Sequence, residues 1–203
     1  MRAASALALL VLAAAAHARP LATQAPQTVY DAVAGLPEVS DVFAMIKEAG
    51  LDAQFKNPKL GVTVFVPTNA ALARALALAG GAAGGPPAVA SDRALVQQAL
   101  AYHLLNAPLS ASDFPRGASL QPTVLGGALL QVSRDAGGGL AANGYRVVRP
   151  DVRAGQSVVH VVDGFLVAPT LLPALAEVVG AAAVARLVPA GVAAAAAALL
   201  SGL

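Results

Sequence analysis

The stretch TVFVPTNAAL, residues 63–72, holds a strand and the start of a helix in direct succession. Val62–Val66 is an apolar run rich in β-branched residues, which is typical of a buried strand. Pro67 cannot donate a backbone hydrogen bond and ends the strand. Thr68 or Asn69 then caps a helix, because either side chain can accept a hydrogen bond from the free N–H groups of a first helical turn. The segment therefore predicts a buried strand that leads directly into a helix.

Two helices are predicted before this strand. Thr28 is the N-cap of the first, and Asp31 stands at the spacing of a capping box. The second follows Pro37, where apolar residues recur every three or four positions up to Gly50. Glycine is common just after a helix, so Gly50 marks the expected end.

One more helix is predicted after the strand–helix unit. A loop rich in Gly and Pro at residues 80–88 comes first, and Ser91 or Asp92 then caps a segment that reads ALVQQALAYHLL over residues 94–105. Its apolar residues recur at helical spacing, so we expect the helix to continue to about Leu105.

The second half of the chain carries β-rich runs, separated by turns with Gly or Pro, at residues 128–133, 145–149 and 158–162. Asp163-Gly164 is typical of a tight turn and predicts a hairpin between Val158–Val162 and Phe165–Val167. The strands Val62–Val66 and Val158–Val162 are too apolar for an exposed edge, so we expect both to lie centrally. Helices in the first half and strands in the second predict an α+β fold.

Composition excludes several classes of protein. The 203 residues have room for one domain with some terminal extension. A hydrophobic content of 57% excludes a disordered chain, and the scattered basic residues, with a net charge of only +2, do not form a nucleic-acid footprint. The absence of cysteine excludes disulfides, thiolate nucleophiles and cysteine zinc sites.

The first residues of the chain resemble a secretory signal peptide. Arg2 precedes an apolar run at residues 3–16, and Ala16-His17-Ala18 is a small-residue cleavage pattern. We therefore predict a signal peptide at residues 1–18, which would remove His17, followed by a short linker at residues 19–26. The alternative is a buried N-terminal helix.

The end of the chain is apolar and rich in alanine. From Leu187 to Leu203 it has no charge, and we assign residues 170–203 to a C-terminal tail that follows a domain at residues 27–169. Three interpretations remain open: a removable glycolipid-anchor signal with Gly180–Ala183 as the small residues, a low-complexity tail, or an ordinary helix. The first would attach the protein to the cell surface.

Four segments, in this order and spacing, resemble a fasciclin-like (FAS1) domain: Thr63–Leu72, Tyr102–Leu105, Thr123–Gly126 and Val159–Pro169. The resemblance runs from about Gln27 to Pro169. It implies helices packed around a wedge-shaped β-sandwich. It also implies a secreted or surface-held protein that works by adhesion or matrix binding, and it implies no catalytic activity.

The polar residues of these motifs are predicted to have structural roles: Thr68, Asn69, Tyr102, His103, His160 and Asp163. We expect His103 and His160 to be core histidines with hydrogen-bond partners, Asn69 to be a helix cap and Asp163 to be a turn residue. His160 and Asp163 lie on opposite faces of a strand, which makes a poor chelate. The sequence predicts no catalytic residue, no cofactor and no metal site.

One segment suggests a partner-binding role. In some animal members of the family, a Pro-Asp-Ile segment at the position of Pro150-Asp151-Val152 is reported to bind a receptor. Pro150 and Asp151 match it, and Val152 replaces Ile. On an exposed loop, the Asp151 carboxylate could complete the coordination of a receptor-bound cation. The alternative is a solvated turn between strands.

Two functions follow from these features. The first is an adhesion or matrix-binding module that makes weak, multivalent contacts with an extracellular protein, with itself or with a cell-wall or matrix glycan. The second is a secreted module that binds a small apolar ligand, which the aliphatic composition favours. We expect no enzymatic activity, because the scattered serines and the two remaining histidines do not form a nucleophile with a positioned base.

Overall fold

The structure is a computed structural model, and it describes residues 26–48, 50–78 and 92–188. The signal peptide predicted at residues 1–18, residues 19–25 of the linker, the loop predicted at residues 80–88 and residues 189–203 of the predicted tail lie outside the described residues.

Most helices of the described chain precede all but the first strand, two more follow the strands, and the labels follow chain order. The helices are α1 Val29–Ala34, α2 Ser40–Glu48, α3 Asp52–Phe55, α4 Asn69–Leu78, α5 Arg93–Tyr102, α6 Leu172–Val179 and α7 Ala181–Leu187. Short 3₁₀ helices span Pro37–Val39, Ala111–Asp113 and Pro169–Leu171. The strands are β1 Thr63–Pro67, β2 Leu104–Leu105, β3 Gly117–Pro122, β4 Leu129–Arg134, β5 Leu140–Ala142, β6 Tyr145–Ala154 and β7 Ser157–Val162.

Side-chain caps start three helices at predicted positions. The Thr28 hydroxyl accepts a hydrogen bond from the Asp31 N–H at 3.1 Å, and the Thr68 hydroxyl accepts one from the Ala71 N–H at 3.1 Å. The carboxylate of Asp92 accepts from two N–H groups of the first turn of α5. These contacts satisfy donors that a helix start otherwise leaves without partners.

The strands form a seven-stranded sheet in the order β2-β1-β7-β6-β5-β4-β3, which confirms the α+β class. β1 and β7 run parallel, with Val64 opposite Val159, and each has a neighbouring strand on both sides. All their residues are buried. The predicted central placement of both strands is confirmed.

Two hydrophobic clusters lie on the two sides of the β1–β7 pair. Val64 and Val161 belong to the cluster beneath α1, α2 and α5, while Phe65 and Val162 belong to the cluster that also contains Leu130 of β4. Successive side chains of a strand point to opposite faces, so a strand between two clusters must be apolar at nearly every position. This explains the unbroken apolar runs in the sequence.

The hairpin predicted at Asp163-Gly164 is wrong. β7 pairs with β1 on one side and with β6 on the other, so both of its hydrogen-bonding edges are occupied. Phe165–Val167 therefore cannot pair with β7 and forms no strand. Instead the chain leaves the sheet and leads to the 3₁₀ helix at Pro169–Leu171.

The helix predicted to reach Leu105 ends earlier, at Tyr102. Leu104 and Leu105 form β2 and pair with Val64 and Thr63 of β1. The apolar spacing that favours a helix is compatible with a buried strand as well, and pairing with β1 decides between them because helical propensity is weak.

The first part of the predicted tail packs as part of the domain. Leu172 of α6 and Val184 of α7 are completely buried, and both belong to the cluster that contains Phe65. Val188 belongs to the same cluster. The hydrophobic core therefore extends at least to residue 188.

Candidate functional site

His103 connects α5 to the chain that follows β7. It is 1% exposed, its Nδ1 lies 2.7 Å from the carbonyl oxygen of Ala99, and its Nε2 accepts from the Leu166 N–H at 3.2 Å. Because Nε2 accepts, the proton of the neutral ring is on Nδ1, which donates to Ala99. Burial lowers the pKa of His103 to about 4. The imidazole is therefore neutral at physiological pH.

His160 makes an equivalent connection between β7, β6 and the segment before the 3₁₀ helix at Ala111–Asp113. It is fully buried in β7, its Nδ1 accepts from the Asp151 N–H at 3.1 Å, and its Nε2 donates to the Leu109 carbonyl at 3.0 Å. Its ring lies 5.3 Å from that of Phe65. Burial lowers the pKa of His160, so this ring is also neutral.

Asp151 lies in a strand, which corrects the predicted exposed loop or turn. Between the pairs Arg149–Val161 and Val152–Val159 the register shifts, and β6 has one residue more than β7. Such a bulge accommodates Pro150, which has no N–H to donate to a neighbouring strand. Asp151 itself has φ +59°, in the left-handed region that a non-glycine residue rarely adopts.

The carboxylate of Asp151 is also engaged within the protein. Its Oδ1 accepts from the N–H of Ala111 at 2.7 Å, at the start of the 3₁₀ helix Ala111–Asp113. Asp151 and Pro150 remain exposed, and Val152 is half-buried. The Ala111 hydrogen bond therefore fixes the orientation of the carboxylate and uses one of its two oxygens.

Asn69 does not cap its own helix, because Thr68 already fills that position. Its side chain bonds to the start of α2: Oδ1 accepts from the Asp41 N–H at 3.1 Å, and Nδ2 donates to the Pro37 carbonyl at 3.1 Å and to the Ser40 hydroxyl at 2.9 Å. Asn69 therefore stabilises the start of a helix distant in sequence.

Tyr102 belongs to a buried network that sequence analysis missed. Its hydroxyl donates to the Leu129 carbonyl at 3.1 Å and accepts from Nδ2 of Asn143 at 2.9 Å. The Asn143 Oδ1 accepts from the N–H of Gln131 at 3.1 Å. Asn143-Gly144 joins β5 to β6, and both residues have positive φ. That dipeptide is a strong hairpin signal, and it could have revealed this turn.

Asp163 forms an ion pair at the end of β7. Its Oδ1 lies 2.6 Å from a guanidinium nitrogen of Arg74, and the same nitrogen donates to the Asp163 carbonyl at 3.2 Å. Both side chains are more than half exposed, with relative exposures of 60% for Arg74 and 51% for Asp163. The pair therefore orients Arg74 and adds little stability.

These contacts leave little scope for acid–base chemistry in the motifs. Within the described ranges, no three His, Asp or Glu side chains are grouped so that they could hold a metal ion. Both ring nitrogens of His103 and of His160 already bond to backbone groups. Acting as a general base would require either ring to give up a backbone hydrogen bond and accept a proton in a buried position.

A model of the Fasciclin domain matches residues 37–168, which is more than half of the chain. This chain belongs to the fasciclin domain family. The four motif segments fall within that range apart from Pro169, so the resemblance drawn from the sequence is confirmed.

Among solved structures, the chain is similar to a FAS1 domain pair from the insect cell adhesion molecule fasciclin I. The two share 22% identity with a TM-score of 0.55. The similarity covers 69% of this chain and 50% of the insect chain, so it spans half of that domain pair. It establishes the common fold. No curated protein matches the chain significantly.

In this fasciclin domain, the motif residues therefore act as connectors between distant elements. Asn69 forms hydrogen bonds to the start of α2, His103 to the chain after β7, and His160 to the bulge of β6. Among the described residues, no helix is both long and apolar enough to cross a membrane.

Proposed function

We propose that this chain is an extracellular adhesion or matrix-binding module that acts through weak, multivalent contacts of its surface. The observation that carries the proposal is the match of the Fasciclin domain to residues 37–168. Domains of this family are typically extracellular adhesion modules without enzymatic activity. The partner is an extracellular protein, a second copy of this chain or a cell-wall or matrix glycan.

The exposed surface, rather than the motif residues, is the part of the molecule that this proposal uses. Pro150 and Asp151 are exposed on the bulge of β6, beside the 3₁₀ helix at Ala111–Asp113. Asp151 is fixed there by two hydrogen bonds, one from Ala111 and one to His160. A rigid exposed segment loses little conformational entropy on binding, which favours it as a contact.

Secretion and surface attachment belong to the same proposal. Residues 1–18 would direct secretion, and the apolar C-terminal end would serve attachment. Attachment at Gly180–Ala183 would remove α7 and with it the completely buried Val184. We therefore place any attachment point beyond Val188, which is itself 7% exposed.

Bead aggregation tests this function. The full chain is coated on beads at increasing density, alone and with wall and matrix polysaccharides. Clumping that rises steeply with density is expected, because weak contacts gain strength when many form together. Asp151→Ala should reduce the clumping, and Glu177→Ala, which removes an exposed carboxylate from α6, should leave it unchanged. Absence of clumping and of polysaccharide binding at the highest density would contradict the proposal.

One observation favours a second candidate, the binding of a small apolar ligand. An apolar cleft, partly open to solvent, lies between α4, α5 and the start of α6. Its walls are entirely apolar and include Leu76, Leu95, Ala99, Phe165 and Leu175. Pockets for small ligands commonly have mostly apolar walls.

Titration with a fluorescent fatty acid tests the second candidate. Ala99→Phe would fill part of the cleft and should weaken binding. Ala94→Phe adds the same ring to an exposed position of the same helix, outside the cleft, and should not. Equal binding by both variants would show that the probe does not occupy this cleft.

A further inference from the structure

A second pocket, with different chemistry, lies where α4, β6, the chain after β7 and α7 meet. Its walls include Arg74, Leu78, Tyr145, Gly164, Phe165 and Arg186. The pocket is partly open to solvent, so a ligand could reach it. We call it the Arg74–Arg186 pocket.

Two arginines from distant parts of the chain line this pocket. Arg74 is oriented by Asp163, whose Oδ1 lies 2.6 Å from one guanidinium nitrogen. Arg186 is exposed, and among the described residues no carboxylate forms an ion pair with it. With two cations and one anion at its wall, the pocket carries a net positive charge.

The position of the Tyr145 ring depends on Gly164. A Cβ atom at residue 164 would lie only 1.9 Å from Cγ of Tyr145, so the ring lies directly against a backbone that has no side chain. The Tyr145 ring, Phe165 and Leu78 give the pocket an apolar wall beside the guanidinium groups. Asp163 and Gly164, adjacent in sequence, thus position one polar and one apolar part of the same pocket.

We propose that the Arg74–Arg186 pocket binds a sugar residue that carries a carboxylate, such as a uronic acid unit of an acidic polysaccharide. A guanidinium group matches a carboxylate with two parallel hydrogen bonds. The C–H groups of a sugar ring form an apolar surface that suits the wall made by Tyr145, Phe165 and Leu78. This inference rests on the proposed matrix-binding function and names the class of glycan.

Calorimetric titration of the full chain with an oligomer of galacturonic acid tests the pocket. Arg74→Gln and Arg186→Gln should each weaken binding about tenfold, because each removes a charged hydrogen-bond partner of the carboxylate. Arg116→Gln makes the same change of charge at an exposed residue outside the pocket and should leave the affinity within about twofold. Arg186→Lys keeps the positive charge but cannot make two parallel hydrogen bonds to a carboxylate. Its affinity should lie between those of wild type and Arg186→Gln. Thermal unfolding of each variant verifies the fold.

Three other probes determine which chemistry the pocket recognises. A neutral galactose oligomer, oligoglutamate and a sulfated galactan of equal charge should all bind more weakly than the galacturonic acid oligomer. Equal binding of the neutral sugar overturns recognition of the anion. Equal binding of oligoglutamate overturns recognition of the sugar, and tighter binding of the sulfated galactan overturns the preference for carboxylate.

Bead aggregation separates this inference from the proposed function. If wild-type beads clump and the Arg186→Gln beads clump equally with pectic polysaccharide present, adhesion remains supported and the pocket assignment is overturned. If wild-type beads neither clump nor bind any polysaccharide, the proposed function itself fails. Loss of the polysaccharide-dependent clumping in Arg186→Gln alone, with Arg116→Gln unaffected, supports both.

Discussion

The backbone N–H of Asp151 donates to Nδ1 of His160 across 3.1 Å. On its other side, the same ring donates to the Leu109 carbonyl at 3.0 Å. One neutral imidazole thus joins β7, the bulge of β6 and the segment that leads into the 3₁₀ helix at Ala111–Asp113. Protonation would turn the accepting nitrogen into a donor that faces another donor, so this connection requires the neutral ring.

Acid should therefore destabilise the fold through its two buried histidines. The pKa of His103 is lowered from 6.5 to about 4, and that of His160 is lowered as well. Above pH 6.5 both rings are neutral in the folded and in the unfolded protein, so no stability is lost. As the pH falls from about 6.5 towards 4, the unfolded chain takes up protons that the folded chain does not. The lowered pKa of His103 alone should then reduce the free energy of unfolding by on the order of 3 kcal/mol.

Urea unfolding between pH 7.5 and 4.5 measures this loss. His103→Gln removes one titrating group and should flatten the decline of unfolding free energy with pH. Hydrogen bonds also lower the pKa values of Glu38, Asp52 and Asp113 in the folded protein, so these carboxylates add to the decline near pH 4.5 equally in wild type and in His103→Gln. An identical pH slope in wild type and His103→Gln would show that His103 is not the source of the decline.

Val161→Asp should prevent folding. Val161 is 0% exposed in the central strand β7, so the substitution buries a carboxylate without a partner and should cost about 4 kcal/mol or more. Val148→Asp is the control, because Val148 is 49% exposed on β6 and should change stability by less than about 0.5 kcal/mol. A soluble Val161→Asp protein with a cooperative thermal transition would refute the central placement of β7.

Gly164→Ala should destabilise the protein by about 1–3 kcal/mol, because the added methyl overlaps the Tyr145 ring. In a Tyr145→Ala background the same change should cost much less, since the ring is absent. Unfolding free energies of the two single variants and the double variant give the coupling between these residues. Simple additivity of the two changes would exclude the contact as the cause.

Asn143→Ala should destabilise the protein by about 2–3 kcal/mol, because it removes the amide that donates to the Tyr102 hydroxyl and the oxygen that accepts from the Gln131 N–H. Asn143→Gly loses the same hydrogen bonds but tolerates the φ of +47° at this position. It should therefore be about 1 kcal/mol more stable than Asn143→Ala. Chemical denaturation compares the two, and equal stability would mean that the backbone geometry carries no cost.

The fold could be predicted where a pattern depends on neighbouring residues. The caps Thr28, Thr68 and Asp92 follow from side chains that reach their own first helical turn. The apolar runs around Val64 and Val161 predict strands buried on both faces, and both lie centrally. The strands β2, β3 and β5 were missed, because β2 and β5 are very short and the residues of β3, which include glycine and proline, show no clear β pattern.

The candidate site was less predictable, because its contacts join residues far apart in the chain. The sequence identified Asn69, Asp151 and Asp163 as polar residues at element boundaries. It could not show that Asn69 bonds to α2, nor that the carboxylate of Asp151 bonds to Ala111. Each of those bonds depends on which element packs nearby.

By itself, the sequence determined the α+β class, the starts of α1, α4 and α5 and the two central strands, because hydrogen bonding within a turn and the alternation of strand side chains are local properties. Only the tertiary structure decided the conformation and contacts of Asp163-Gly164. Both edges of β7 are taken by β1 and β6, so this dipeptide forms no hairpin and instead orients Arg74 and Tyr145. Whether a strand edge is free depends on the packing of the whole sheet, which no short stretch of sequence specifies.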